Sequence, residues 1–388
     1  MAERESAALV IENQRALEAF AARLSSASRM GFDTESASFH RYVDRVYLLQ
    51  ISTDTETALV DPLAVPDLSP IGELLRNPDI EIVFHDADYD LRILDRDYGF
   101  RATRLFDTRL AAQLAGEPAV GLGALLEKHF GVRLDKRFQR ADWSARPLSD
   151  AMVAYAADDT RYLLRLRDVL TDRLRATGRL HWLEEECARL EDLRWNAGRR
   201  DAEEGFLRIK GAKALPRRAL AILERLHSWR EATASTLDRA PFRVLGNEAL
   251  LGIARTAPRT NVDLQRIHGV GTSTVQRHGE ALLAAVEEGM AVPSEQLPSL
   301  ARSKRPPPDA AYDARLERLK TVRNSAATRI GLEPGLVCPN GTLQAIARVS
   351  PTRPDELAGI PELRKWQREA LGESVILAAV REPAESTP

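Results

Sequence analysis

The run Arg29-Met30-Gly31-Phe32-Asp33-Thr34-Glu35 joins an apolar segment of strand length to two carboxylates two positions apart. Side chains alternate along a strand, so Asp33 and Glu35 project from the same face. Acids placed side by side at a strand end repel unless a cation lies between them; the ordinary alternative is a polar strand end entering a loop. Outward from this run, strand-length apolar segments recur at Val46–Ser52, Thr57–Asp61 and Ile80–His85. Longer helical patterns cover Asp88–Tyr98, Thr108–Ala115, Leu122–Gly131 and Asp150–Leu174, the last with Ser149 as its expected N-cap. Strands with helices between and after them predict an α/β domain whose mixed sheet is flanked by helices.

Beyond Leu180 strand patterns vanish and the chain reads as all-α. The expected division is an α/β unit with trailing helices over 1–198, a linker over 199–212 and a helical unit over 213–291. A proline-rich linker follows over 292–311, with Pro306-Pro307-Pro308 stiffening it, then a second helical unit over 312–381 and a tail over 382–388. The helical units repeat one another at an offset of 93 positions. Leu223-Glu224-Arg225-Leu226 aligns with Leu316-Glu317-Arg318-Leu319, Ile253-Ala254-Arg255 with Ile346-Ala347-Arg348, and Gly279-Glu280 with Gly372-Glu373. Asn247 and Asn340 are expected helix caps. Trp182, Trp195, Trp229 and Trp366 lie in helical patterns and are expected in cores.

The 388 residues carry a formal charge of −2, with 44% hydrophobic and 29% charged residues, a composition of folded domains rather than disorder. The balance is uneven: residues 1–170 hold 21 basic and 28 acidic side chains, leaving 34 and 29 for the remainder. An acidic catalytic part and a basic binding part would divide charge in this way. Met1-Ala2-Glu3-Arg4-Glu5 lacks the layout of a signal peptide, and no apolar run approaches a membrane span. Cys187 and Cys338 stand alone in distant segments, which excludes a disulfide framework and a cysteine-based zinc site. An intracellular, cytoplasmic protein with no membrane partner is the expectation.

Two further acidic groups accompany Asp33 and Glu35. His85-Asp86-Ala87-Asp88-Tyr89-Asp90-Leu91 follows a strand and places Asp90 in the first turns of a helix. Tyr155 and Asp159 are spaced i, i+4 and share a helix face. Singly, these groups read as a helix N-terminus favouring negative charge and a surface hydrogen bond. Together, four carboxylates from three elements without matching cations suit hard divalent ions, Mg²⁺ or Mn²⁺. A pair of such ions is the clamp used for in-line phosphodiester hydrolysis.

These motifs resemble the DEDD superfamily of 3′→5′ exonucleases. Asp33 and Glu35 match its D-x-E, and Tyr155 with Asp159 matches the Y-x-x-x-D of its tyrosine branch; His85 followed by Asp90-Leu91 resembles the ribonuclease D form of the second motif. Ala141-Asp142-Trp143 and Arg146-Pro147-Leu148 resemble the segment that precedes the third motif. The repeated units look like the HRDC domains shared by helicases and ribonuclease D, most clearly through Phe242 to Leu251.

The resemblance implies a ribonuclease H-like exonuclease fold followed by two HRDC domains. It also implies two divalent ions, with Asp33 bridging both, Glu35 and Asp159 on the hydroxide-generating ion, and Asp90 on the other. Tyr155 would orient the attacking water. Nucleoside 5′-monophosphates would leave one at a time from a free RNA 3′ end, with tRNA precursors as substrates and a monomer as the working form. A DNA exonuclease and an inactive nucleic-acid-binding adaptor are the rival expectations, since carboxylates do not distinguish the sugar.

Other residues are candidates for substrate contact. His85 lies beside the proposed site and is a candidate contact to the terminal nucleotide, against the ordinary reading of an isolated histidine. Trp143 either stacks on a base or packs against the sheet. Lys136 and Arg146 are candidate phosphate contacts, with surface salt bridges as the alternative. Gly269 and Gly271, in Ile267-His268-Gly269-Val270-Gly271-Thr272, make a tight turn that presents backbone N–H groups to a phosphate or serves the turn alone. The second repeat lacks both glycines, so the first is the better nucleic-acid candidate, and the second is left to pack, gate or dimerise.

Overall fold

The computed structural model describes residues 8–196, 205–299 and 309–381. The start of the chain, the first half of the expected 199–212 linker, the proline triplet and the tail after 381 lie outside the described residues. Strands β1 (Leu9–Ile11), β2 (Arg29–Ser36), β3 (Val46–Ser52), β4 (Thr57–Val60), β5 (Glu81–Phe84) and β6 (Leu105–Asp107) form one sheet in the order β1-β4-β3-β2-β5-β6. The pairs of β2 with β3 and of β3 with β4 are antiparallel, and the other three are parallel, so the sheet is mixed. Strands β1 and β6 have three residues each, too few for an alternation to signal them.

Helices α1 (Gln14–Leu24), α2 (Ser69–Arg76), α3 (Asp88–Tyr98), α4 (Thr108–Leu114), α5 (Leu122–Phe130), α6 (Asp150–Arg161), α7 (Leu163–Ala176) and α8 (Leu180–Glu191) surround the sheet. Ser149 caps α6 as expected, its hydroxyl accepting from Met152 N at 3.3 Å. The helical pattern over Asp150–Leu174 is, however, two helices, because the chain bends at Tyr162 (φ −102, ψ −2). The bend lets α6 lie over β3 and β4 while α7 packs on β2 and β5. Gly31 makes the approach possible: a Cβ there would meet the Thr160 carbonyl oxygen at 3.1 Å and Leu163 Cβ at 3.3 Å. Buried hydroxyls pin the same junction, Ser52 Oγ lying 2.7 Å from Thr160 Oγ1.

The helical units reproduce the 93-residue offset element by element. Helices Pro241–Val244, Asn247–Thr256 and Asn261–Gln265 recur as Pro334–Val337, Asn340–Val349 and Pro354–Ala358. Left-handed Ala257 recurs as left-handed Ser350. The repeat breaks at its end, where the continuous helix Thr272–Ala291 corresponds to Lys365–Leu371 and Glu373–Arg381 separated by Gly372 (φ +85). Asn247 and Asn340 are not caps, because Gly246 and Pro339 hold the cap positions. Each asparagine instead accepts from an arginine on the preceding long helix, Arg230 and Arg323, at 2.7 Å in both copies. Residues 205–212 are also not a spacer: they form 3₁₀ turns whose Phe206, Ile209 and Ala212 are buried in the first helical unit.

The helical units differ in what they pack against. The second shares one apolar core with the α/β unit, whereas the first has a core of its own. Trp366 of the second stacks on Trp182 of α8, with ring centroids 5.0 Å apart. Glu186 accepts from Trp366 Nε1 at 2.7 Å and Arg364 Nε at 2.9 Å, and Glu185 accepts from the Lys365 and Trp366 backbone. Trp182 and Trp366 are buried, and Trp229 is half-buried beside His278. Trp195 departs from the expectation; it follows the end of α8 and lies exposed with the Arg96 guanidinium 4.8 Å over its ring. Cys187 and Cys338 are free and buried.

Candidate active site

Alternation on β2 sends Gly31, Asp33 and Glu35 to the face that meets the α6–α7 junction. On α6, Tyr155 and Asp159 face the same space one helical turn apart. The sheet and α6 thereby bring Asp33, Glu35, Tyr155 and Asp159 to the wall of one cavity of about 450 Å³. Asp90 arrives from α3 and is buried behind it. Thr34, which also lines the cavity, donates its hydroxyl to Asp90 Oδ1 and so ties α3 to β2. Nothing in the sequence signals that role, although Thr34 occupies the middle of the acidic motif. Across the β2–β3 ladder Asp33 faces Gln50, a fully buried amide whose side-chain atoms make no hydrogen bond.

Burial first, then mutual repulsion, raises the Asp33, Glu35 and Asp90 carboxyls well above the ordinary range. Asp159 is pushed up to about 7 by burial and by the charge of Asp158, against a hydrogen bond from Tyr155. The Tyr155 hydroxyl moves upward too, for burial and for the charges of Asp159, Glu35 and Asp33. Such shifts mark uncompensated negative charge, the condition a divalent cation relieves. Among the described residues no three His, Cys, Asp or Glu side chains already stand at ligating spacing, and Thr34 occupies one oxygen of Asp90. The fit to hard cations therefore rests on an all-oxygen donor set that lacks counter-charge.

His85 and Lys136 also line the cavity. The Thr108 hydroxyl donates to the Phe84 carbonyl at 2.9 Å, so it accepts from His85 Nδ1, also at 2.9 Å. His85 Nε2 is left as the acceptor. Burial holds the imidazole down to about 4, neutral at physiological pH. The loop that delivers Asp90 is set by Asp107, whose carboxylate caps α4 and also accepts from Asp86 N and Ala87 N.

Two expected substrate contacts are corrected. Trp143 is 1% exposed and packs beneath Tyr155, ring centroids 5.9 Å apart, so no base can stack on it. Arg146 makes a two-pronged pair with buried Asp61 and donates to the Tyr47 carbonyl, which locks it against the start of β3 and the end of β4 rather than offering it to phosphate. Gly269 (φ +83) and Gly271, the N-cap of Thr272–Ala291, form the interhelical turn of the first helical unit and do not line the cavity. A Cβ at Gly269 would meet Ala249 Cβ at 3.3 Å, which accounts for that glycine by packing.

Residues 9–175 match the 3′-5′ exonuclease family model, and 219–286 and 313–380 match the HRDC domain model. The chain is 34% identical over 351 residues to the ribonuclease D of Gluconacetobacter diazotrophicus, covering 89% of this chain and 86% of the relative. It is 31% identical over 377 residues to that of Acidiphilium cryptum, covering 95% and 92%. Among solved structures, Escherichia coli RNase D, described as an exoribonuclease involved in structured RNA processing, matches with a TM-score of 0.69 and 28% identity over 96% of this chain and 98% of that one. The catalytic core of RRP6 from Trypanosoma brucei matches with a TM-score of 0.65 and 27% identity over 75% and 83%. Among the described residues no helix is long and apolar enough to cross a membrane.

Proposed function

The chain belongs to the ribonuclease D family, and from that premise we propose that it matures the 3′ ends of structured RNA, tRNA precursors among them, by two-metal hydrolysis at Asp33, Glu35, Asp90 and Asp159. It is a 3′→5′ exoribonuclease. The observation that supports this mechanism is the convergence of Asp33, Glu35, Asp159 and Tyr155 on one cavity, with Asp90 buried behind it and its charge felt by Glu35. Their oxygens suit Mg²⁺ or Mn²⁺, which when bound acidify a water and stabilise the charge of the leaving 3′ oxygen.

The protein's own groups supply the rest. The Tyr155 hydroxyl keeps its proton at working pH and orients water from the α6 side. His85 Nε2, an acceptor in a neutral ring, suits a ribose hydroxyl better than a phosphate. Lys136 is exposed at the cavity and suits the phosphate. Attack by water on phosphorus breaks its bond to the 3′ oxygen of the preceding nucleotide and frees a nucleoside 5′-monophosphate. We take the protein to act as a cytoplasmic monomer.

The test is a 3′-extended tRNA and a DNA of matched sequence, each incubated with Mg²⁺ or with EDTA. Metal-dependent mononucleotide release from the RNA is expected, and Asp33→Asn should abolish it while RNA binding persists. Wild-type-like turnover by Asp33→Asn, or release insensitive to EDTA, would overturn the mechanism. Equal release from the DNA would remove the sugar preference, and no release from either would favour an adaptor.

A further inference from the structure

The turn that follows β2 carries Phe39, four residues beyond Glu35. It is 40% exposed, and the Arg140 guanidinium lies 5.0 Å over its ring. Gln139, the residue before Arg140, lines the catalytic cavity. On its other side Phe39 meets Phe242 of the first helical unit edge-on, with centroids 5.9 Å apart. Phe242 is 51% exposed and lies 6.0 Å from the Arg243 guanidinium. Arg243 Nε donates to the Phe39 carbonyl, and Ala240 N donates to the His40 carbonyl at 3.2 Å. The nearby acids are already engaged: Asp238 pairs with Arg41, and Asp142 with Ser144 and His40. Arg140 and Arg243 are exposed.

Two large aromatic rings meet edge-on at the seam of two units, yet each keeps about half of its surface exposed beside a guanidinium. Single-stranded nucleic acid fits them, because bases stack on aromatic and guanidinium planes and phosphates pair with arginine. We infer that Phe39, Arg140, Phe242 and Arg243 form a stacking track for the unpaired RNA nucleotides upstream of the 3′ terminal one. The track runs from the cavity lip toward the first helical unit. This inference rests on the RNA-trimming reading of the cavity, and it assigns the contact of the first helical unit to Phe242-Arg243 instead of the glycine turn.

The experiment measures KM and kcat on single-stranded RNA oligonucleotides of increasing length for the full chain with Mg²⁺. Phe39→Leu and Phe242→Leu keep an apolar contact between the units but remove the ring; Phe39→Trp restores a stacking plane. The leucine variants should raise KM about tenfold on oligonucleotides long enough to cross the seam, with a smaller change in kcat, and the tryptophan variant should recover it. Arg140→Gln with Arg243→Gln should flatten the salt dependence of binding by about 0.7 in log–log slope for each phosphate that no longer pairs with a guanidinium. Wild-type KM at every length in the leucine variants, with wild-type trimming intact, would overturn the track. A merely structural contact predicts instead a lower melting temperature in the leucine variants and a KM change that is the same at every oligonucleotide length, which thermal melts beside the length series would show. Absence of trimming by the wild-type protein would instead strike the reading of the cavity.

Discussion

Replacing Asp159 by Asn should stabilise the metal-free protein while removing its activity. Asp159 is pushed from 3.8 to about 7 by burial and by Asp158. The folded state therefore keeps a proton between about pH 4 and pH 7 that the unfolded state has released, and wild-type stability falls as pH rises through that window. Above pH 7 the ionised group costs on the order of 4 kcal/mol, at about 1.4 kcal/mol per pH unit. Asparagine carries no such charge and keeps an acceptor for Tyr155. In EDTA the variant and the wild type should unfold together near pH 4 and diverge as pH rises, the variant melting about 10 °C higher at pH 8. Circular dichroism melts across that range measure the gap. Saturating Mg²⁺ should then raise the wild type by a few kcal/mol, as expected at about 100-fold excess over Kd, and raise the variant less. A variant no more stable than wild type at pH 8 in EDTA, or a gap that does not close toward pH 4, would refute the charge argument.

Gly31→Ala forces a methyl against the Thr160 carbonyl at 3.1 Å and Leu163 at 3.3 Å, so it should cost about 1–3 kcal/mol and lower kcat by displacing α6. Urea unfolding with parallel turnover measurements checks both, and an unchanged kcat would separate the junction from the site. Arg146→Ala strips the partner from buried Asp61 and should cost about 3–5 kcal/mol. The salt slope of RNA binding should stay at the wild-type value; a flatter slope would return Arg146 to the phosphate path. His85→Phe removes the Nε2 acceptor and should narrow the ratio of kcat/KM between RNA and DNA. Retained discrimination would place the sugar contact elsewhere.

Local periodicity carries far in this chain. The two-residue period of β2 put Asp33 and Glu35 on one face, the i, i+4 spacing joined Tyr155 to Asp159, and the 93-residue offset announced two related helical units whose elements recur in register up to the last helix. Each of these depends on neighbours within a turn or two, where backbone geometry alone decides which side chains share a face. Partners distant in sequence were decided only by packing. Arg146 lies 85 positions from Asp61, and Trp366 is 184 from Trp182; no local pattern distinguishes such residues from a phosphate contact or an ordinary core tryptophan. The same holds for Asn247 and Asn340, which resemble caps until an arginine of the preceding helix claims their side chains. The break at Tyr162 and the need for glycine at position 31 are one tertiary fact, the close approach of α6 and α7 to β2. The sequence by itself determined the acids, their local faces and the repeat. The tertiary structure decided which acids meet and which basic residues line the cavity or are held in ion pairs, because burial and ion pairing depend on segments that meet only on folding.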